Sequence, residues 1–224
     1  MTSRGLVGIL LAGGLSRRFG SDKLLHPLPD GTPIAVAAAR NLKQSGLHCI
    51  SVLRPEQQAL SQLLQGEGFG IHYDHTAEQG MGHSLAAAVR ATPAASGWLV
   101  ALADMPFITP TTISLLTYAL RGGASLAAPF YNGRRGHPVG FARPWFARLS
   151  SLQGDAGARE LLSGHADLML HVPCNDPGIL VDIDTPQGLA SGSMAPNADR
   201  MPAVAAAALC RKRCPKLSND AGAK

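Results

Sequence analysis

The sequence predicts an α/β protein with a doubly wound, mostly parallel sheet and a small antiparallel insertion. Three observations predict it. Short apolar runs alternate with segments of helical period from Leu6 to Leu120, the pattern of βαβ units. The first run stops at Gly13-Gly14, and the most apolar run stops at Asp104. After Gly122 the alternation gives way to a strand, an Asn-Gly turn and a returning strand.

Taken in order, Leu6 to Leu11 reads as a buried strand, being continuously apolar and bounded by glycines. Pro33 to Ser45 reads as a helix, with Ile34, Ala37, Ala38 and Leu42 on one side. His48 to Leu53 is a second strand. Pro55 to Gln65 is a helix opened by proline and closed near Gly66. Gly70 to Tyr73 is a short strand, and Ser84 to Ala91 a helix behind the Gly80-Met81-Gly82 turn. Trp98 to Ala103 is a strand, and Pro110 to Leu120 a helix with Thr109 as N-cap. Ala124 to Ala128 and His137 to Phe141 are strands joined through Asn132-Gly133, a pair that favours a type I′ turn. Helices are expected around Trp145 to Leu152 and Ala156 to Leu162, and a strand from Asp167 to Val172. Leu180 to Ile183 leads into a helix start at Asp184-Thr185-Pro186. Beyond about Ala190 the composition shifts to Ser, Gly, Pro, Asn, Asp and Ala. Residues 1–190 are therefore expected to form one domain and 191–224 a flexible basic tail, in which Ala203 to Cys210 could form a helix locally.

Charge narrows the partners. The chain carries 20 Lys/Arg against 15 Asp/Glu in 224 residues, but residues 191–224 hold six of those cations and only two acids. The folded part is nearly neutral, so a nucleic-acid surface is not expected. Cys49, Cys174, Cys210 and Cys214 form neither a disulfide framework nor a paired metal motif. The N-terminal apolar run is too short to span a bilayer, so no membrane partner is expected. The expectation is a cytoplasmic protein with reduced thiols.

Chemistry concentrates in five places. Gly13-Gly14 ends a buried strand, which lets a ligand approach the backbone, and Arg17, Arg18 and Lys23 add positive charge within seven residues. Exposed N–H groups beside fixed cations suit a polyphosphate. The segment is neither a Walker loop nor a dinucleotide fingerprint, since both spacings are missing. Asp104 sits at the carboxyl end of the most apolar strand, where open α/β sheets bind ligands, and a lone Asp beside phosphates suits Mg²⁺. Asp182 and Asp184 share one side if extended, and with Asp104 they could complete a metal site. Gly80-Met81-Gly82-His83-Ser84 opens a helix with a hydroxyl suited to a base edge or a phosphate. Gly136-His137-Pro138 follows two arginines and could meet an anionic substrate. No serine-hydrolase elbow or zinc spacing appears.

These segments together, Leu11 to Lys23, Gly80 to Leu85, Leu102-Ala103-Asp104-Met105-Pro106, Gly136-His137-Pro138 and Asp182 to Pro186, resemble in order the motifs of the MobA-like nucleotidyltransferases. The resemblance covers residues 5 to about 190. The Leu-Ala-Asp-Met-Pro, Gly-His-Pro and Asp-Ile-Asp-Thr-Pro segments look most like molybdenum cofactor cytidylyltransferase. Ala12-Gly13-Gly14 instead takes the form familiar from guanylyltransferases, and Phe19 stands where methionine is common. The resemblance implies a Rossmann-like enzyme that joins CMP from CTP to molybdopterin and releases pyrophosphate, with Mg²⁺ as cofactor. It implies catalytic roles for Arg18, Lys23 and Asp104. Leu11, Ala12, Gly13, Gly14, Arg18, Lys23, Gly80, Gly82 and Ser84 would bind the nucleotide, and Asp104, Asp182 and Asp184 the metal. Gly136, His137 and Pro138 would border the molybdopterin. The product would pass to a molybdoenzyme or its chaperone. The alternatives are a GTP-using guanylyltransferase, transfer to another phosphorylated metabolite, and a non-catalytic molybdenum cofactor carrier or maturation factor.

Overall fold

In the computed structural model of the chain, residues 5–14, 22–154 and 157–184 are described. Arg17, Arg18, Gly20, the expected helix start at Thr185-Pro186, and the expected tail with Cys210 and Cys214 lie outside them.

The first half is the expected βα alternation. Strand β1 (Leu6–Leu11) is followed by α1 (Ile34–Lys43), β2 (His48–Leu53), α2 (Gln58–Gly66), β3 (Gly70–Tyr73), α3 (Met81–Ala91), β4 (Gly97–Leu102) and α4 (Pro110–Arg121). Then come β5 (Leu126–Tyr131), β6 (Arg134–Arg135), β7 (Val139–Ala142), α5 (Phe146–Ser150), α6 (Gly157–Ser163) and β8 (Met169–Pro173). The eight strands form one sheet in the order β3-β2-β1-β4-β7-β5-β6, with β8 paired parallel to β5. Strands β1 to β4 are parallel, whereas β7 runs antiparallel to both β4 and β5. The fold class is as the sequence predicts.

Both faces of the sheet are covered, so its central strands are apolar throughout rather than alternating. Leu6 and Leu10 pack with Leu42, Leu60, Leu64 and Leu116 of α1, α2 and α4. Val7, Ile9 and Leu11 pack on the opposite face with Leu85, Val89, Leu149 and Leu162 of α3, α5 and α6. Trp98 and Trp145 are fully buried there, and each satisfies its indole N–H on a hydroxyl, Thr92 Oγ1 at 2.9 Å and Ser125 Oγ at 3.0 Å. Cys49 lies against Gly8, where an added Cβ would stand 2.9 Å from its Sγ. Burial pushes the Cys49 thiol up to about 11, so it serves as a small apolar side chain. Cys49 and Cys174 are free thiols.

Several boundaries differ from expectation for local reasons. Helix α2 starts at Gln58, not Pro55, because residues 54–57 form a turn in which Gln57 accepts from the Arg54 amide at 2.8 Å. Helix α3 starts at Met81, since Gly80 has φ 128° and breaks the chain just before it. The expected hairpin forms at Asn132 and Gly133, with φ 49° and 75°, but β5 runs on to Tyr131 and β7 begins only at Val139. Thr109 caps α4, accepting from the Thr112 amide. Residues 177–180 form a 3-10 turn, and residues 181–184 carry no sheet pairing, so no strand leads to Asp184. Among the described residues no helix is long and apolar enough to cross a membrane.

Candidate active site

A cleft of about 410 Å³ opens at the carboxyl ends of the parallel strands. The end of β1 supplies Leu11, Ala12, Gly13 and Gly14, the end of β4 supplies Leu102 and Asp104, and Gly80, Met81 and Ser84 come from the start of α3. Lys23 and Leu24 close one side.

The β1 end is held open by its neighbours. The Ala12 amide donates to the Val52 carbonyl at 3.1 Å, and the Ala103 amide donates to the Leu11 carbonyl at 3.1 Å. Gln57, only 5% exposed, donates to the Ala12 carbonyl at 3.0 Å. These bonds use the inward-facing polar groups, and Gly13 follows with no side chain between the strand end and the cleft. A Cβ on Gly13 would stand 3.0 Å from the Ala77 Cβ, tighter than ordinary contact.

The charged centre is Lys23, only 8% exposed. Its Nζ donates to Asp104 Oδ2 at 2.9 Å and to Asp184 Oδ1 at 3.1 Å. Burial works against its charge, but the two carboxylates outweigh that, and its pKa is raised. Asp184 reaches this point because the Ile183 amide donates to the Asp104 carbonyl at 3.0 Å, while the Ile183 side chain is fully buried. The 177–184 segment is anchored further back by Asp176. That carboxylate, 3% exposed, accepts from the Thr109 amide, Thr109 Oγ1, Thr112 Oγ1 and the Gly178 amide at 2.7–3.0 Å.

Of the expected residues, Leu11, Ala12, Gly13, Gly14, Lys23, Gly80, Ser84 and Asp104 border one cleft, and Asp184 meets Asp104 through Lys23. Gly82 does not border it. Its amide donates to the Gly154 carbonyl at 2.8 Å, and a Cβ there would stand 2.5 Å from the same oxygen. Gly82 is a packing glycine for the 153–154 loop. The expected trio of carboxylates does not form either, since the described residues contain no group of three or more metal-type ligands. Asp182 is exposed and has no ion-pair partner among them. Two residues of extended chain separate it from Asp184, about 6–7 Å, so one carboxylate reaches Lys23 and the other does not.

Gly136, His137 and Pro138 are not among the residues that line the cleft. The His137 amide donates to the Ile179 carbonyl at 3.1 Å, and Gly136 is pressed against Ile179 so closely that a Cβ would overlap its carbonyl. The peptide His137-Pro138 is cis. His137 Nδ1 is buried with no hydrogen-bond partner. Burial, and then the Arg135 charge, lower its pKa to about 4, opposed by the pull of Asp104. Sequence reasoning missed Gln57, Asp74 and Asp176. Asp74 follows the end of β3 as Asp104 follows β4, and that shared strand-end position was the available signal.

Asp104 and Asp184 present hard oxygen donors converging on one cationic point, which fits a magnesium-sized ion that keeps water and phosphate as its other ligands. Exposed glycine backbone, a fixed lysine and such a carboxylate pair are what an anionic, metal-loaded substrate requires.

Comparison with known proteins places the chain in a family. Residues 8–168 match the MobA-like NTP transferase domain. The chain is 33% identical over 198 residues to purine catabolism protein PucB of Bacillus subtilis, spanning 84% of this chain and 95% of that one. It is 32% identical over 191 residues to nicotine blue oxidoreductase of Paenarthrobacter nicotinovorans, spanning 80% and 92%. Among solved structures, Rv0371c of Mycobacterium tuberculosis superposes with a TM-score of 0.73 at 28% identity, covering 86% of this chain and 98% of that one. A manganese complex of the same protein superposes with a TM-score of 0.67 at 25% identity, covering 83% and 96%. The chain belongs to the MobA-like NTP transferase family and has the fold of a nucleotidyltransferase.

Proposed function

We propose that this nucleotidyltransferase joins CMP from CTP to the terminal phosphate of molybdopterin, with Mg²⁺ and release of pyrophosphate. The observation that carries the reading is the convergence of Asp104 and Asp184 on Lys23 beside the Gly13-Gly14 strand end.

The chemistry asks little of a general base. A terminal phosphate has its second pKa near ~6 and is largely dianionic at neutral pH. Its oxygen attacks the α-phosphorus of the nucleotide in line, a P–O bond forms, and the bond to the β-phosphate breaks with its electron pair leaving on pyrophosphate. The enzyme must hold two repelling anions together and offset charge on the leaving group. Asp104 and Asp184 would hold the Mg²⁺, which when bound draws charge from the phosphate oxygens. Lys23 stays protonated and neutralises the triphosphate. Gly13 and Gly14 let the nucleotide lie against the backbone, and Ser84 meets its base or ribose. Arg18, five positions before Lys23 in the sequence, would add charge, and Gly136 to Pro138 would support the acceptor side.

A second reading keeps this site but uses GTP, favoured by the Ala12-Gly13-Gly14 form of the loop. The name of the Paenarthrobacter relative points to a different reaction class. A carrier that only holds finished cofactor would have no use for leaving-group neutralisation, so the Lys23–Asp104–Asp184 group weighs against it. The test is pyrophosphate release from CTP, GTP, ATP and UTP, each with molybdopterin and Mg²⁺. Release with CTP above the others is expected. Release with GTP alone selects the second reading, and none with any triphosphate overturns transfer.

A further inference from the structure

Asp74 lies just beyond β3, 6% exposed, its backbone amide tied to the Leu53 carbonyl at 2.8 Å. Its Oδ1 accepts from the Thr76 amide at 2.9 Å and from Thr76 Oγ1 at 2.6 Å. Its Oδ2 accepts from Ser84 Oγ at 3.0 Å. Ser84, in the first turn of α3, is 3% exposed yet borders the cleft. A Cβ added to Gly13 would lie 3.4 Å from its Oγ, so the hydroxyl stands behind the bare Cα of Gly13.

A serine hydroxyl has one proton and two lone pairs, and an ionised carboxylate only accepts. The Ser84 proton is therefore committed to Asp74, and only lone pairs remain for the cleft. We infer that Asp74 is a specificity-determining positioning residue: by fixing Ser84 as an acceptor, it makes the site select nucleobases that offer an amino group there. The inference rests on the nucleotide-binding reading above, and assigns a role to a residue outside the cleft wall. A base with a carbonyl oxygen at that point would face lone pairs with lone pairs, leaving two acceptors unsatisfied.

An Asp74→Asn change inverts the arrangement. The Thr76 amide can only donate, so the asparagine carbonyl is held on that side and its NH₂ turns to Ser84. Ser84 then accepts from Asn and donates into the cleft.

The experiment measures equilibrium affinity, with Mg²⁺, for the pairs CTP/UTP and GTP/ITP, whose members differ in an amino group. Wild type is expected to favour the amino-bearing member of the pair it binds by about 10-fold. Asp74→Asn should bring that ratio to about one or reverse it. Ser84→Ala should bring it to about one, and the double variant should match Ser84→Ala, because Asp74 acts through the hydroxyl. Thermal melts establish that each variant is folded. If Asp74→Asn fails to fold, Ser84→Ala decides alone, and a retained ratio there overturns the inference. A wild-type ratio near one, or a ratio unmoved by folded Asp74→Asn, overturns it while the nucleotide reading stands. If no triphosphate binds the wild-type chain, both fall.

Discussion

Lys23 is held by two carboxylates, and its charge is stabilised in the free protein by the groups that would meet a metal. Asp104→Ala removes the oxygen donor proposed to hold the substrate's ion but leaves Lys23 paired with Asp184, so the fold should survive. Turnover should drop by about 100-fold or more. Near-normal rates at ordinary Mg²⁺, measured by pyrophosphate release, would remove the metal role. His137 gives a pH prediction. Its folded pKa of about 4 lies below the ordinary value of 6.5, so below pH 6.5 the unfolded chain takes up a proton that the native ring refuses. Stability is full above that value and declines as pH falls toward 4, by up to about 3 kcal/mol. Urea titrations should show His137→Gln with a shallower decline across that window; parallel curves would mean that His137 does not titrate there. Lys23 and Asp104 were legible because each sits where a local pattern breaks. The sealed imidazole was not, because it is enclosed from a distant segment, where the Ile179 carbonyl takes the His137 amide.

At the level of elements, the seam between parallel and antiparallel parts rests on close packing. Strand β7 inserts between β4 and β5, and at Gly140 the Leu120 side chain of α4 fills the space of a side chain, with a Cβ there only 2.8 Å from Leu120 Cδ1. Gly140→Val should overpack this joint and destabilise by about 1–3 kcal/mol. The check is the melting temperature, and an unchanged value would mean that α4 yields freely. Alternation of period named nearly every element, since burial on both faces makes strands uniformly apolar and helices amphipathic. What it missed were starts and stops set by distant partners. Gln57 keeps residues 54–57 out of α2 by reaching the Ala12 carbonyl across the sheet end, and Gly82 serves a loop more than seventy residues later.

Over the whole molecule, the site joins sequence segments that only the finished topology unites. Asp176 ties the chain after β8 to the start of α4, and from there the 177–184 segment runs to Asp104. Asp176→Ala should strand several buried donors, costing about 2–4 kcal/mol. It should also release Asp184 and so weaken binding of a divalent-cation probe at the proposed metal site, and full stability with unchanged probe affinity would contradict this anchoring. Sequence order placed Asp182 and Asp184 near Asp104 as a pair, but only a three-dimensional path along buried Ile183 decides which of them arrives. Lys23 and Asp184 stand 161 positions apart. A ribosome must therefore add 161 residues after the lysine before its second carboxylate exists. Partial chains that stop short of that aspartate would lack the completed charge group.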